Sequence, residues 1–360
     1  MTEKLVSRHL IASCTAMVVL MAGCAAPPAA VPATSASATA PSTATTQQAP
    51  ADGAAVTNTD APTNTQGLPP LPQGGLPGVM PGGMTQVKAT PAAKDVAYAN
   101  QSATQTLDIY LPDGDGPFPL VINVHGGGFM MGDKSNPALT DQLLEAGYAV
   151  ASLNYRLSGE AKAPAQIEDV KAAVRWLRAN AAQYKLNSDK FAAFGQSAGG
   201  NLVSLLGTSC GVAELEGDAL GNADQSSCVQ AVVDWFGPTD FLQMDAQFAG
   251  TSCPANHNEA NSPESQLVGA PIQTVPDKVK QVNPITYANA KAPPFLIQHG
   301  TADCNVPPQQ GKLLADALVP LIGADKVTYT LLEGAGHGGS QFEADENVKV
   351  VIDFLNKHLK

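Results

Sequence analysis

The stretch Lys190-Phe-Ala-Ala-Phe-Gly-Gln-Ser-Ala-Gly-Gly-Asn-Leu-Val-Ser-Leu-Leu206 decides the fold of this chain. Its first part, Lys190–Phe194, is a short apolar run typical of a buried strand, and Asn201–Leu206 has the apolar spacing of a helix start. Between them lies a Gly-x-Ser-x-Gly turn centred on Ser197. A strand, such a turn and a helix make up a nucleophile elbow, in which a strained backbone exposes the serine hydroxyl. We expect side chains at positions 195 and 199 to collide with the neighbouring strand and helix, so both must be glycine. The pattern taken alone also occurs in ordinary glycine-rich turns.

Predicted strands and helices alternate on both sides of this turn. The strand signals, in chain order, are Gln105–Leu111 at an edge, Pro119–Val124, Tyr148–Leu153, Lys190–Phe194, Val229–Phe236, Pro294–His299 and Val327–Leu332. Helical spacing marks Ala138–Ala146, Ile167–Gln183 and Val348–Leu359. This alternation predicts an α/β domain with a mostly parallel central sheet and helices on both faces. The stretch 241–287 has few regular signals and about the length of a small inserted lid.

Composition limits the kinds of partner. The 360 residues carry a formal net charge of -12, and only 14% of them are charged. Because no basic stripe is present, we expect no nucleic-acid partner and no binding to anionic membranes by charge. The sequence does not indicate an oligomeric state.

The N-terminus carries an export signal. Lys4 and Arg8 precede the apolar run Leu10–Ala22, which ends just before Gly23 and Cys24. A basic region, a short apolar region and small residues before a cut site indicate a signal peptide over residues 1–23. Cysteine directly after Ala-Gly resembles a bacterial lipoprotein signal, in which Cys24 is lipidated; an ordinary signal cut at Ala25-Ala26 is the alternative. The run is shorter than the roughly 18 residues of a membrane span.

The export signal is followed by a long polar segment. Residues 24–84 are rich in Pro, Ala and Thr with almost no charge, so we expect a disordered tether, with the folded domain at 85–360. If the host is Gram-negative, Ala25 after the cysteine suggests anchoring in the outer membrane.

Four cysteines remain in the mature domain. An even number in an exported protein predicts two disulfides, with three possible connectivities. We favour Cys210–Cys228, which closes the segment after the elbow helix. We also favour Cys253–Cys304, which joins a long loop to the residue beside Asp303. Metal binding is the alternative, but no paired C-x-x-C spacing is present.

Three further loops follow predicted strands at the sheet edge where active sites of such folds lie. His125-Gly126-Gly127-Gly128 follows one strand, and its glycines leave backbone N–H groups uncovered. We expect the N–H groups of Gly127 and Gly128, with that of Ala198, to form an oxyanion hole. A phosphate-binding loop is the alternative, but it lacks Gly-x-Gly-x-x-Gly spacing and a following Lys-Ser/Thr. His125 itself is expected to be a structural anchor.

An acid and a base complete the expected site. Asp303 follows the strand Pro294–His299, and His337 lies in a glycine-flanked loop after the last strand. A carboxylate there holds an imidazole in the correct tautomer. Asp240 is the second candidate for the acid, and Asx capping of a turn is the other interpretation of Asp303. Ser197, Asp303 and His337 occur in the chain order Ser…Asp…His.

Together these motifs resemble the α/β-hydrolases of the esterase/lipase group with an HGGG oxyanion loop, close to feruloyl and acetyl esterases related to the hormone-sensitive-lipase-like esterases. The resemblance rests on the segments His125–Phe129, Asn154–Leu157, Gly195–Gly200, Val233–Asp240, Asp303 with Val306-Pro307, and Gly336–Gly338. Phe129 stands where many relatives have Trp. Phe129, Trp235 and Phe236 are candidates for the substrate pocket, and the last two serve equally well as core residues.

The resemblance implies a serine carboxylesterase that needs no cofactor and no metal and acts on short-chain or plant-wall (acetyl or feruloyl) esters. Alternatives are a lipase or polyesterase acting on larger esters, a serine peptidase of the same fold, and a non-catalytic binding lipoprotein.

Overall fold

Residues 86–360 of the protein are described by a computed structural model. The proposed signal peptide, Cys24 and the whole of the proposed tether therefore lie outside the described residues. The strands are β1 Ala93–Ala97, β2 Thr106–Tyr110, β3 Phe118–Val124, β4 Ala149–Leu153, β5 Leu186–Gln196, β6 Ala231–Trp235, β7 Phe295–Gly300 and β8 Val327–Leu332. The α-helices are α1 Thr140–Glu145, α2 Ala165–Ala179, α3 Ala198–Thr208, α4 Met244–Phe248, α5 Pro263–Val268, α6 Pro276–Gln281, α7 Gln309–Ile322, α8 Ser340–Glu343 and α9 Asp345–Leu359.

The eight strands form one sheet in the order β1-β2-β4-β3-β5-β6-β7-β8. The pairs β1–β2 and β2–β4 are antiparallel, and every other neighbouring pair is parallel. A mostly parallel sheet needs apolar cover on both faces, and two separate clusters of buried side chains provide it. The larger cluster includes α2 and α3, and the smaller includes α1 and α9. The predicted α/β architecture is confirmed.

One strand prediction was wrong in its position. The segment Gln105–Leu111 was expected at the edge, but β2 is the second strand, with four of its five residues buried. The strand at this edge of the sheet is β1. The sequence does not predict it, because β1 is short, exposes Lys94 and Asp95, and pairs with β2 in an irregular register. Such features protect an edge from further pairing, and they also erase the apolar alternation by which a strand is recognised.

The stretch 241–287, hereafter the insert, is more regular than expected. It connects β6 to β7 and contains α4, α5 and α6 with single turns of 3₁₀ helix. Its side chains Phe241, Met244, Leu267, Ile272 and Val279 are buried in the larger cluster. Among the residues described, no helix is both long and apolar enough to cross a membrane.

A buried carboxylate joins the antiparallel part of the sheet to α2. The side chain of Asp169 is fully buried and lies 2.7 Å from Nη2 of Arg156. It also accepts hydrogen bonds from Nε2 of Gln105 at 2.7 Å and from the backbone N–H of Arg156 at 2.8 Å.

Replacing Asp169 by Ala is expected to lower the free energy of unfolding by about 3–5 kcal/mol, because it leaves the buried amide of Gln105 without an acceptor and removes the closest carboxylate from the largely buried guanidinium of Arg156. The matched control is Asp316→Ala, which removes an exposed partner of Lys312 and is expected to cost at most about 1 kcal/mol. Urea unfolding of both variants measures the difference. Equal losses would show that the Asp169 network contributes no more than a surface pair.

Candidate active site

The backbone at Ser197 adopts the conformation of a nucleophile elbow. Ser197 follows β5, precedes α3 and has φ 55° and ψ −122°. Its N–H donates to the carbonyl of Trp235 at 2.9 Å, and its carbonyl accepts from the N–H of Asn201 at 3.1 Å. Positive φ is energetically unfavourable for a residue with a side chain. These hydrogen bonds to β6 and to α3 stabilise Ser197 in that conformation.

Close packing around the elbow explains its two glycines. A Cβ atom on Gly195 would lie 2.2 Å from the carbonyl oxygen of Gly199, at the start of α3. A Cβ atom on Gly199 would lie 2.0 Å from the carbonyl oxygen of Val124, at the end of β3. The collisions predicted from the sequence are therefore confirmed, and the turn brings α3 against the sheet edge that carries the glycine-rich loop.

Ser197, His337 and Asp303 form one hydrogen-bonded chain. Nε2 of His337 lies 2.8 Å from Oγ of Ser197, and Nδ1 of His337 lies 2.8 Å from Oδ2 of Asp303. Since an ionised carboxylate only accepts, Nδ1 carries the hydrogen and Nε2 is left to accept from the serine hydroxyl. The arrangement can remove the proton from Ser197 and stabilise the imidazolium that results.

The Asp303 carboxylate is buried but well supplied with donors. Its Oδ1 accepts from the backbone N–H groups of Asn305 at 2.8 Å and Val306 at 3.0 Å. Burial on its own raises the pKa of Asp303, but attraction to His337 and hydrogen bonds from His299 and His337 outweigh it, so that the pKa lies well below its usual range. The group is therefore a carboxylate at neutral pH.

The glycine-rich loop presents uncovered backbone donors beside the serine. Gly127 and Gly128 have φ 107° and 59°, and a Cβ atom on Gly127 would lie 2.2 Å from the carbonyl oxygen of Met131. The carbonyl of Gly127 accepts from the N–H groups of Met130 and Met131, which fixes the turn. Within residues 86–360, the N–H groups of Gly127, Gly128 and Ala198 donate to no protein atom. They are the expected oxyanion donors and are free to bind a ligand.

His125 anchors this loop, as the sequence suggested. Its ring stacks on that of Tyr155 with centroids 4.5 Å apart, and its Nδ1 lies 2.8 Å from the carbonyl oxygen of Gly126. The Tyr155 hydroxyl donates to the carbonyl of His125 at 3.1 Å. Burial lowers the pKa of His125, which keeps the ring neutral in this structural role.

The three aromatic pocket candidates lie in different surroundings. The ring of Phe236 packs on that of His337, with centroids 4.7 Å apart. Trp235 is fully buried, donates from Nε1 to Oε1 of Gln298 and packs on Phe194, so it is a core residue. Phe129 is also buried and faces the insert, as the following contacts show.

The insert contacts the loops on both sides of Ser197. Toward the glycine-rich loop, the Phe241 ring lies 6.2 Å from that of Phe129, and a Cβ on Gly128 would lie 3.0 Å from Cβ of Pro263. The other contact is with the loop 301–308 that carries Asp303, hereafter the acid loop. There a disulfide joins Cys253 to Cys304, next to Asp303. The second disulfide is Cys210–Cys228, so both favoured pairings are confirmed.

A histidine of the insert adds a polar link to the acid loop. Nε2 of His257 lies 2.9 Å from the backbone carbonyl oxygen of Asn305, and its Nδ1 lies 2.7 Å from Oδ1 of Asp245. Asp240, the second candidate for the catalytic acid, accepts instead from the N–H of Leu242 and from Nε2 of Gln243. It caps the first turn of the insert and makes no hydrogen bond to His337 among the residues described.

Sequence reasoning missed two polar residues that support the site. Asp234 on β6 accepts from Oγ of Ser204 on α3 at 2.8 Å and from the N–H of Gly237 at 2.9 Å, and burial raises its pKa. His299 at the end of β7 contacts Asp303 itself. A charged or imidazole side chain inside an otherwise apolar strand was the available signal for both.

With eight strands in this order and an elbow, acid and base at the ends of β5, β7 and β8, the protein has the α/β-hydrolase fold. Residues 107–318 match the model of the BD-FAE family, and the chain belongs to that family.

Several individual proteins and solved structures are similar to this chain. Esterase LipC of Mycobacterium tuberculosis is 30% identical over 224 residues, which are 62% of this chain and 53% of LipC. The chain spans about half the length of the curated relatives it matches. The structure of a truncated carbohydrate esterase from gut microbiota is 33% identical, with a TM-score of 0.68 over 76% of this chain and 98% of that one. An esterase of Thermogutta terrifontis, 23% identical, shares the fold with a TM-score of 0.58 over 74% of this chain and 92% of its own.

Removing the disulfide beside Asp303 is expected to affect both stability and the reactivity of Ser197. The double variant Cys253→Ser/Cys304→Ser frees the acid loop from the insert, and we expect a stability loss of about 2–4 kcal/mol with slower labelling of Ser197 by a fluorophosphonate. The matched control, Cys210→Ser/Cys228→Ser, is expected to lose stability without slower labelling of the folded protein. Equal labelling rates in the two double variants would refute the link to Asp303.

Proposed function

We propose that this protein is a serine carboxylesterase that hydrolyses short-chain or plant-wall-type esters, acetyl or feruloyl, through an acyl-enzyme intermediate. The observation that carries the proposal is the hydrogen-bonded chain Ser197–His337–Asp303, with 2.8 Å at each link and the serine at positive φ. Membership of the BD-FAE family and similarity to esterases support it. Ser197, His337 and Asp303 are the proposed catalytic residues.

Acylation uses the groups already in contact. His337 removes the proton from Oγ of Ser197 as the oxygen attacks the ester carbonyl, and the carbonyl oxygen becomes an oxyanion. The free N–H groups of Gly127, Gly128 and Ala198 are the proposed donors to that oxyanion, and loss of one such donor typically costs about 10²–10³ in turnover. His337, now an imidazolium beside the Asp303 carboxylate, then gives its proton to the leaving alcohol.

Deacylation repeats these steps with water. His337 removes a proton from a water molecule that attacks the acyl-Ser197 carbonyl, the same donors hold the second oxyanion, and His337 returns the proton to Oγ of Ser197. The side chain of His337 is 17% exposed and that of Asp303 fully buried, which fits an imidazole reached by water and a carboxylate shielded from it. No cofactor takes part in these steps.

The substrate class is proposed from the relatives and from the insert. Two similar solved structures are described as a carbohydrate esterase and as a bifunctional GH43-CE protein of Bacteroides eggerthii, 33% and 36% identical to this chain. The insert packs against the glycine-rich loop through Pro263 and Phe241, which among the proposed esters favours acetyl over the larger feruloyl group. Phe236, beside His337, is a proposed contact for the ester.

The decisive variant is Ser197→Ala, assayed on p-nitrophenyl esters of increasing chain length and on methyl ferulate. The wild-type protein is expected to hydrolyse the shortest esters fastest, and Ser197→Ala to lose about five to six orders of magnitude in kcat because the nucleophile is gone. The control Ser135→Ala, at an exposed loop position, is expected to leave the rate unchanged.

Each other outcome selects a different function. Ester hydrolysis that persists in Ser197→Ala would overturn the assignment of the nucleophile. A wild-type protein that hydrolyses long-chain esters best would support the lipase or polyesterase alternative. One that cleaves peptides but not esters would support a peptidase, and a folded wild type without any turnover would support a binding protein.

We also propose that the enzyme is exported and lipid-anchored through Cys24, by a signal over residues 1–23 and a tether over 24–84. The proposal rests on the sequence Leu20-Met-Ala-Gly-Cys24. Cys24→Ser is expected to abolish metabolic incorporation of a labelled fatty acid and to release the protein from the membrane fraction. Incorporation that survives the substitution would mean that the lipid is attached elsewhere, and a wild-type protein without incorporation would mean that there is no lipid anchor.

A further inference from the structure

A second imidazole shares the Asp303 carboxylate with His337. His299 lies at the end of β7, four residues before Asp303, and is fully buried. Its Nε2 is 3.2 Å from Oδ2 of Asp303, the same oxygen that meets Nδ1 of His337 at 2.8 Å. Nε2 of His299 is also 2.9 Å from the backbone carbonyl oxygen of Val306. One carboxylate oxygen therefore contacts two histidine rings.

The partners of His299 determine its tautomer. A carbonyl oxygen and a carboxylate oxygen can only accept, so Nε2 of His299 must carry a hydrogen and divide it between Val306 and Asp303. Its Nδ1 is buried and has no hydrogen-bond partner among the residues described. A hydrogen at Nδ1 would be a buried donor without an acceptor, which is unfavourable. The ring is therefore neutral, with its hydrogen on Nε2.

The two histidines on Asp303 thus differ in what their second nitrogen faces. The free nitrogen of His337 faces Oγ of Ser197 and can take up a proton. The free nitrogen of His299 faces helix α7, where a Cβ atom on Gly311 would lie 3.4 Å away, with Ile297 and Tyr329 against the same position. His337 is therefore placed to exchange a proton with Ser197, whereas the free nitrogen of His299 meets no hydrogen-bonding group among the residues described.

From this geometry we propose that His299 is a positioning residue for the esterase reaction: its Nε2–H fixes Oδ2 of Asp303 toward His337 and withdraws part of the charge of that oxygen. The inference rests on the proposed function and adds to it a residue that touches neither Ser197 nor the ester. A hydrogen bond from His299 also contributes to the low pKa of Asp303.

The remaining charged groups around His299 are few. From β6, the buried Asp234 lies close enough to interact electrostatically with His299. From β8, the ring of Tyr329 packs near Gly311, and its hydroxyl donates to the carbonyl of Pro308. From the loop after β8 comes His337, and from the acid loop Asp303 itself. Of these groups, His337 alone also donates a hydrogen bond to Oδ2 of Asp303, and it does so from Nδ1.

The test compares His299→Leu, which removes the donor, with His299→Gln, whose amide can place an N–H near the position of Nε2. The substrate is p-nitrophenyl acetate, and active sites are counted by fluorophosphonate titration so that only folded enzyme is compared. For His299→Leu we expect kcat to fall roughly ten- to hundredfold with little change in KM. We also expect the acid limb of kcat/KM to move to higher pH, because Asp303, no longer sharing its charge, holds the imidazolium of His337 more strongly.

His299→Gln is expected to restore most of kcat and the position of the acid limb. The matched control is His358→Leu on α9, whose ring packs on Phe354 and which is expected to behave as wild type. If His299→Leu and His299→Gln both lower the melting temperature but leave kcat per active site and the acid limb unchanged, His299 is only a structural anchor and the proposal is overturned.

A measurement on the wild-type protein covers the case in which His299→Leu does not fold. Nitrogen-15 NMR of the histidine rings is expected to show the hydrogen of His299 on Nε2 and none on Nδ1. A hydrogen found on Nδ1 instead of Nε2 would overturn the proposal. Failure of the esterase proposal is recognised separately, as a wild-type protein without ester turnover, while the NMR result still reports on the Asp303–His299 contact.

Discussion

The positive φ of Ser197 is the constraint on which the rest of the site depends. A strained residue of this kind costs on the order of 1–3 kcal/mol and persists only where its surroundings leave no alternative. Here β3, β5 and β6 meet α3 without room for a side chain at Gly195 or Gly199. The buried Asp234 on β6 then bonds to Ser204 on α3, so strand and helix are held together just behind the serine.

A second constraint is the buried charge of Asp303. A carboxylate removed from water is tolerated only when donors replace the water, and two backbone N–H groups and two imidazoles do so here. The backbone donors belong to the turn 303–306, so the shape of that turn and the charge of Asp303 support each other. The disulfide at Cys304 and the contact of His257 with Asn305 tie the same turn to the insert.

The sequence predicts well those features that leave a periodic or motif signal. Inner strands such as β4 and β6 are largely apolar runs because both their faces are buried, and glycine-flanked loops follow the ends of several strands. Strand β1 left no such signal, since an exposed and charged edge strand lacks the apolar pattern. His299 and Asp234 were missed for a different reason: spacing along the chain does not tell which atoms a buried polar group meets. A contact such as His299 to Asp303 depends on the geometry of one turn, which only coordinates supply.

The residues of the proposed triad and those of the insert belong to different parts of the fold. Ser197, Asp303, His337 and the glycine-rich loop lie at the ends of strands, where the packing of the sheet sets their positions. The insert carries no member of the proposed triad, yet it contacts the glycine-rich loop through Pro263 and the acid loop through Cys253. Substitutions within it are therefore expected to act on the space beside Ser197 and, through Cys253 and His257, on the turn that holds Asp303. For this reason the proposed triad bears on the type of reaction, and the residues of the insert facing Gly128 and Phe129 are the proposed place of acyl-group selection.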